Sequence, residues 1–340
     1  MNLKDYGFVP HPEYPAGTPA RITAVHKERY AIVCEYGETY ARLKTKAYYA
    51  GSEAFPTTGD FVMINYIPSG DSQITATLPR RTYFSRRDPD KGRGEQAIAA
   101  NFDYVFIMQS LNRDFNAKRL ERYLTISWQS GATPVVVLTK ADLAEDPHSY
   151  ICTAQRTAAG VAVHAVSAQT GMGLDALTPY LQPGKTIVFL GSSGVGKSSL
   201  INAIAGERIM AVGGIREDDG RGRHTTTHRQ LLMLKNGSMI IDTPGMRELG
   251  MWDISHGLGE AFTEVERFLG RCRFRDCAHR SEPGCAIKAA IESGELDISR
   301  WESYCNLREE ALDRDEPLLR KREWSKSVAK FTKQRKKEVW

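Results

Sequence analysis

"TIVFLGSSGVGKSSLINAIAG", residues 186–206, decides how the rest of this chain is read. Four apolar residues, Ile187 to Leu190, lead into a glycine-rich turn, and the turn leads into a segment with helical spacing. Within it, Gly191 to Ser198 match Gly-x4-Gly-Lys-Ser in the strand–loop–helix setting that the pattern requires. Gly191, Gly194 and Gly196 let the loop backbone turn, so that the N–H groups of Ser192, Ser193 and Val195 can face an anion at a helix N-terminus. Lys197 is placed to reach the β- and γ-phosphates, and Ser198, followed by Ser199, offers a hydroxyl to magnesium. A Mg2+–nucleoside triphosphate is the expected ligand.

Working outward, "SMIID" reads as a strand ending in "DTPG", Asp242 to Gly245. Asp242 is expected to hold Mg2+ through water, and the Gly245 amide to meet the γ-phosphate. Alone, such a tetrapeptide is a common turn. Between the two motifs, "DDGRGRHTTTHRQ" is polar and glycine-containing, as suits a segment ordered by a γ-phosphate, and one of its threonines is expected to bind magnesium.

The base-reading elements lie upstream. "VVVLTKADL", 135–143, is a buried strand running into Thr139-Lys140-Ala141-Asp142. Asp142 can accept two hydrogen bonds from guanine N–H groups while the Lys140 stem lies along the ring, which favours GTP over ATP. "SAQTG", Ser167 to Gly171, follows the strand "VAVHAV" and can present the Ala168 amide to the guanine carbonyl. Either could be a surface turn by itself; beside a complete phosphate loop they support each other. The order base, base, phosphate, switch, switch is that of a circularly permuted GTPase. Each motif caps a strand, and the sheet rather than chain order fixes its place.

The flanking regions differ in rhythm. Residues 18–80 hold five short runs, "RITAV", "RYAIVCEYG", "ETYARLK", "GDFVMINY" and "QITATL", with turn residues between them, as expected of an OB-type barrel. Such a barrel can bind oligonucleotides, and equally carbohydrate, or act as a scaffold. "RRTYFSRR", Arg80 to Arg87, suits nucleic acid or a plain interdomain linker. After about residue 255 the pattern is short helices, then "CRFRDCAHRSEPGC". Cys272, Cys277, His279 and Cys285 fall at x4, x1 and x5, a closed three-thiolate, one-imidazole set suited to structural Zn2+. The metal would supply folding free energy that so small a core lacks. Cys34, Cys152 and Cys305 read as buried small apolar residues. The expected architecture is thus multidomain: an OB-fold barrel (1–90), a circularly permuted α/β P-loop GTPase domain (91–255) and a mainly α zinc-binding domain with a basic C-terminal helix or tail (256–340).

Composition agrees with a soluble globular protein long enough for two or three domains: 340 residues, 41% hydrophobic and 26% charged. No apolar run approaches the ~20 residues that span a bilayer and no signal peptide is visible, so a cytoplasmic monomer without membrane contact is expected. The net charge is +5, and from Arg320 to Lys337 nine Lys or Arg stand against one Glu. That stretch suits a polyanion such as RNA, or is a solvated helix or disordered tail.

The permuted order, "AANFDYVFIMQSLN", "RHTTT" and the Cys-rich segment together resemble the ribosome small subunit-dependent GTPase A family (RsgA, also called YjeQ) over nearly the whole chain. The resemblance implies a bacterial assembly factor that binds the small ribosomal subunit and its rRNA late in maturation, hydrolysing GTP to GDP and phosphate there. It also implies that Thr226 is the magnesium-binding switch residue. Two departures stand out. Thr139 replaces the Asn that usually ties the base loop to the phosphate loop, so weaker guanine affinity is expected; Gln169 replaces a common Lys. Met246 occupies the position where Ras-type enzymes use Gln to orient water, and a thioether cannot do this. His224, directly before the threonines, is the candidate substitute; with His228 nearby, a solvent-facing loop side chain is the alternative. Gly245 lies within about thirty residues of the first zinc ligand, which suggests that hydrolysis loosens the grip on RNA. Two readings follow: a subunit-stimulated GTPase with His224, Thr226 and Lys197 in catalysis, or a GTP-gated rRNA-binding module with incidental hydrolysis.

Overall fold

The computed structural model describes residues 1–26, 29–44, 55–87, 95–112, 114–210, 229–242, 254–280 and 282–313. The chain divides into two compact units, Met1–Leu249 and Gly250–Trp340.

The first unit opens with a 3-10 turn, Leu3–Tyr6, and five strands: β1 (Thr18–Val25), β2 (Tyr30–Cys34), β3 (Gly37–Leu43), β4 (Phe61–Asn65) and β5 (Ser72–Thr77). They run β1-β2-β3-β5-β4, and β4 pairs back onto β1, so the barrel closes and leaves no strand of its own as a bare edge. Alternation places Ala20, Ile22, Ile32, Cys34, Ala41, Val62, Ile64 and Ile74 inside. All five strands expected from the sequence are present.

β6 (Tyr83–Arg87) and β7 (Glu95–Ala100) form a separate antiparallel hairpin. The basic stretch at 80–87 is therefore largely strand, not linker. Arg80 is also committed elsewhere: its Nε and Nη2 donate to both oxygens of the fully buried Asp60 at 2.8 and 2.7 Å.

The α/β layer follows: β8 (Tyr104–Ser110), β9 (Thr133–Thr139), β10 (Ala162–Ala165), β11 (Thr186–Gly191), β12 (Gln230–Met233) and β13 (Met239–Asp242). Their order is β10-β9-β8-β11-β13-β12, parallel except for β12. Strands buried on both faces need continuous apolar sequence, and "VVVL" and "VFIM" supply it. Helix α1 (Ala117–Gln129) starts where the Asn116 side chain accepts from the Arg119 amide and ends before Gly131 at φ +82°. Helix α2 (Pro147–Thr157) is capped by Asp146, and α3 (Lys197–Ala205) follows Gly196 at φ +100°. After Gly171 the chain forms a 3-10 segment, Leu174–Tyr180, with Pro179 inside it in place of a full α-helix. Phe106, Met108, Val135, Val137, Ile187, Phe189, Leu200 and Ile240 form the core.

Barrel and α/β sheet are hydrogen-bonded into one surface, because β1 pairs with β12 at Ala24–Gln230. Beneath that junction lies Arg21, 1% exposed. Its nitrogens donate to the carbonyls of Tyr6 (2.6 Å), Asn101 (2.8 Å) and Gly59 (3.2 Å). Gly59 (φ +93°) comes so close to the Ala100 carbonyl that a Cβ would lie 2.1 Å from it.

The second unit is helical: α4 (Ser255–Ala261), α5 (Thr263–Glu266), α6 (Ala286–Ser293) and α7 (Ile298–Asp313). Phe262, Val265, Ile287, Leu296 and Tyr304 form its small core. Arg300 lies over the Phe262 ring at 4.2 Å and reaches Glu264 at 2.5 Å. Of the remaining cysteines only Cys34 is buried; Cys152 and Cys305 are partly exposed, because each sits on a helix face half in water. Among the described residues no helix is long and apolar enough to cross a membrane. The basic stretch 320–337 lies outside the described residues.

Candidate functional site

Open α/β sheets present their ligand-binding loops at the carboxyl ends of the parallel strands. Here those ends carry Ser110 (β8), Thr139 (β9), Ala165 (β10), Gly191 (β11) and Asp242 (β13). Ser110 and Thr139 are directly abreast, as are Met108 and Gly191. The motifs that are scattered in sequence thus come together at one sheet edge.

The loops are joined as well as near. Thr139, 4% exposed, donates its hydroxyl to the Val195 carbonyl of the phosphate loop at 2.6 Å, with the Gln109 carbonyl 3.3 Å away. The tie expected to be lost with Asn is therefore made by a hydroxyl on a shorter side chain. Lys140, held at φ +58°, spans from the base loop and donates from Nζ to the Gly194 carbonyl at 2.8 Å. The Ala141 amide bonds the Val166 carbonyl, joining the two base-reading loops. Asp142 is exposed on the 3-10 turn Ala141–Leu143. Ser167 is buried, and its Oγ accepts from the Gln169 and Thr170 amides, which shapes the turn carrying the half-buried Ala168.

In the phosphate loop, Ser193 and Gly194 are exposed, Val195 is buried, and Gly191, Ser192, Gly196, Lys197, Ser198 and Ser199 are partly covered. Gly191 leaves little room for a side chain: a Cβ would meet Met108 and Val195 at 3.1 Å, so those neighbours would have to give way by a few tenths of an ångström. Lys197 Nζ donates to Asp242 Oδ1 at 2.6 Å, so the cation read as meeting phosphate and the anion read as meeting magnesium face the same point. His224, Thr226, Gly245 and Met246 lie outside the described residues. The sequence reading overlooked Gln109 and Asp114, which the fold brings against the base and phosphate loops. Their only local signal is a polar run, "QSLNRDFN", directly after an apolar strand.

In the second unit, the ligand atoms of Cys272, Cys277, His279 and Cys285 all lie within 4.8 Å of one another. His279 Nδ1 is 3.4 Å from both Cys272 Sγ and Cys285 Sγ, and those two sulfurs are 4.0 Å apart. Tetrahedral zinc–thiolate bonds imply edges of roughly 3.8 Å, so the donor set fits a metal of that kind. Glu282 shapes the turn by accepting from the Ala278 and Arg280 amides, with His279 at φ +60°. Desolvation raises Cys272, but hydrogen bonds from the Ala286 amide, the Cys277 and Cys285 thiols and the Ile287 amide outweigh it and hold that thiol below its ordinary range. At Cys277, desolvation and the neighbouring thiols win, pushing it up to about 11. Three thiols so close cannot all ionise unless a cation lies among them. Trp301 sets its ring edge-on against His279 at 5.4 Å.

A closed barrel, a sheet of this order and a phosphate loop placed after the base-reading loops define the class: a circularly permuted P-loop GTPase. Comparison with known proteins narrows it. The family model for the RsgA GTPase matches residues 77–252. Two relatives from Listeria monocytogenes are both called small ribosomal subunit biogenesis GTPase RsgA. RsgA 2 is 47% identical over 315 residues, 91% of this chain and 89% of the relative. RsgA 1 is 49% identical over 291 residues, 85% and 82%. The crystal structure of YjeQ from Thermotoga maritima superposes with a TM-score of 0.65 at 27% identity, covering 87% of this chain and 98% of that one. YloQ, described as a circularly permuted GTPase, gives 0.61 at 25%, covering 90% and 99%. The chain belongs to the RsgA GTPase family and is a GTP-hydrolysing enzyme.

Proposed function

We propose that this protein binds the small ribosomal subunit and its rRNA late in assembly and hydrolyses GTP there, with turnover raised by the subunit. The observation that carries the nucleotide part is the direct bonding of base loop to phosphate loop, Thr139 to Val195 and Lys140 to Gly194. The relatives' names carry the partner. Residues 1–90, 91–255 and 256–340 act as barrel, GTPase domain and zinc-binding domain, in a cytoplasmic monomer.

Each residue has a role on this reading. Asp142 accepts from guanine, Lys140 covers the ring, Thr139 and Ser167 shape the two base loops, and the Ala168 amide donates to the guanine carbonyl. The amides of residues 191–196 cradle the phosphates, with Ser199 in the following turn. Lys197 leaves Asp242 for the β- and γ-phosphates, which frees Asp242, with Ser198 and Thr226, to hold Mg2+. The Gly245 amide meets the γ-phosphate, and His224 orients the attacking water in place of Met246. Magnesium, when bound, offsets the charge that develops on the transferring phosphoryl group. Cys272, Cys277, His279 and Cys285 would hold zinc with four protein ligands, and the metal would serve the fold rather than the reaction.

Phosphate release with and without purified small subunits, for wild type and Lys197→Ala, tests the reading. Subunits are expected to accelerate wild type only. Wild type that binds GTP but gains no turnover on the subunit would instead support a GTP-gated rRNA-binding module.

A further inference from the structure

The phosphate loop carries an acidic neighbour that the reading above leaves unused. Ser192 Oγ donates to Asp114 Oδ2 at 2.9 Å, from the loop between β8 and α1. A carboxylate bonded to an anion-binding loop calls for an explanation, since it opposes the charge of the ligand. Arg119, one turn into α1, lies on it: Nη1 is 3.3 Å from Oδ1 and Nη2 is 3.1 Å from Oδ2. Nη2 also donates to the Asp114 carbonyl and to Gln109 Oε1. In taking this pose the guanidinium leaves its buried Nε without a hydrogen-bond partner among the described residues. Packing alone gives no reason to accept that cost. Asp114 is in turn fixed through its amide, which donates to Asn112 Oδ1 at 3.0 Å.

We infer that Asp114 and Arg119 are a charge-compensated positioning pair: the carboxylate holds the phosphate loop in shape through Ser192, and the guanidinium cancels its repulsion of the polyphosphate. Partial burial raises the Asp114 carboxyl, but Ser192, Arg119 and the nearby Lys140 outweigh it, and the group stays ionised at neutral pH. The pair sets how strongly the site distinguishes GTP from GDP, because an uncancelled carboxylate penalises the more highly charged ligand more. This rests on the reading of residues 191–198 as a triphosphate cradle.

The test is equilibrium binding of GTP and GDP to the full chain at two salt concentrations. Detectable GTP binding to wild type that is lost in Lys197→Ala establishes the cradle; without it, the cradle reading itself fails. Given binding, Arg119→Gln should weaken GTP about fivefold more than GDP at low salt, for one additional screened charge. The gap should shrink at high salt. Asp114→Asn/Arg119→Gln keeps an acceptor for Ser192 without the charge, and should bring the GTP-to-GDP ratio back within about twofold of wild type. Equal loss for both nucleotides, or failure of the double variant to restore the ratio, overturns the inference. If Arg119→Gln does not fold, Asp114→Asn decides it: with the carboxylate neutralised and Arg119 still charged, the GTP-to-GDP ratio should move toward GTP at low salt and return toward wild type at high salt. An unchanged ratio, or a shift toward GDP, would refute the pairing.

Discussion

Replacing Thr139 with Val tests the connection between base loop and phosphate loop with little change of volume. The hydroxyl removed is buried and donates at 2.6 Å to Val195, with Gln109 O as a second acceptor at 3.3 Å. The loss combines one net hydrogen bond with the desolvation of a carbonyl that now faces a methyl group. That amounts to about 1–2 kcal/mol, or about 5- to 30-fold in Kd if expressed in binding. The Lys140–Gly194 bond remains and sets the upper limit, since it still holds the loops together. Titration with a fluorescent GDP analogue, alongside melts without nucleotide, separates affinity from stability. Thr139→Ser, which keeps the hydroxyl, should stay within about threefold of wild type. Thr139→Asn should gain nothing, because the tie already exists. Unchanged affinity and melting in Thr139→Val, or much tighter binding in Thr139→Asn, would refute the reasoning.

Other outcomes follow from the same geometry. His224→Ala should lower subunit-stimulated phosphate release by about 100-fold while leaving GTP affinity nearly unchanged; full stimulated turnover in the variant would remove His224 from catalysis. Metal analysis should find one zinc per chain. Stripping it with chelator should change Trp301 emission and abolish hydrogen-exchange protection around Cys272–Cys285, since Trp301 packs on His279. A metal-free protein with protection intact would contradict a structural site. Arg21→Met should remove donors from three buried carbonyls, costing about 3 kcal/mol and lowering the melting temperature by roughly 6–12 °C. An unchanged melt would mean that the junction of barrel and α/β sheet does not depend on it.

Much of this protein was legible in one dimension because its determinants are local. A phosphate loop is a contiguous turn between a strand and a helix, so "GSSGVGKS" carries its chemistry within eight residues. The barrel strands are alternating runs broken by turn residues, and the three cysteines and one histidine stand out as a candidate metal-ligand set by their spacing. The 3-10 segment after Gly171 and the hairpin within 80–100 were not legible for the opposite reason. Short segments with mixed patterns take their conformation from neighbours that the sequence does not identify.

The sequence by itself determined which chemical groups this chain owns and the conformations of the short segments that carry them. Only the tertiary structure decided what those groups face. Thr139 reaches Val195 across 56 positions, Ser192 reaches Asp114 across 78, and Arg21 donates to three carbonyls from distant segments. Such contacts depend on strand order and register, which arise from burying whole faces at once, and no local pattern encodes the partner at the far end.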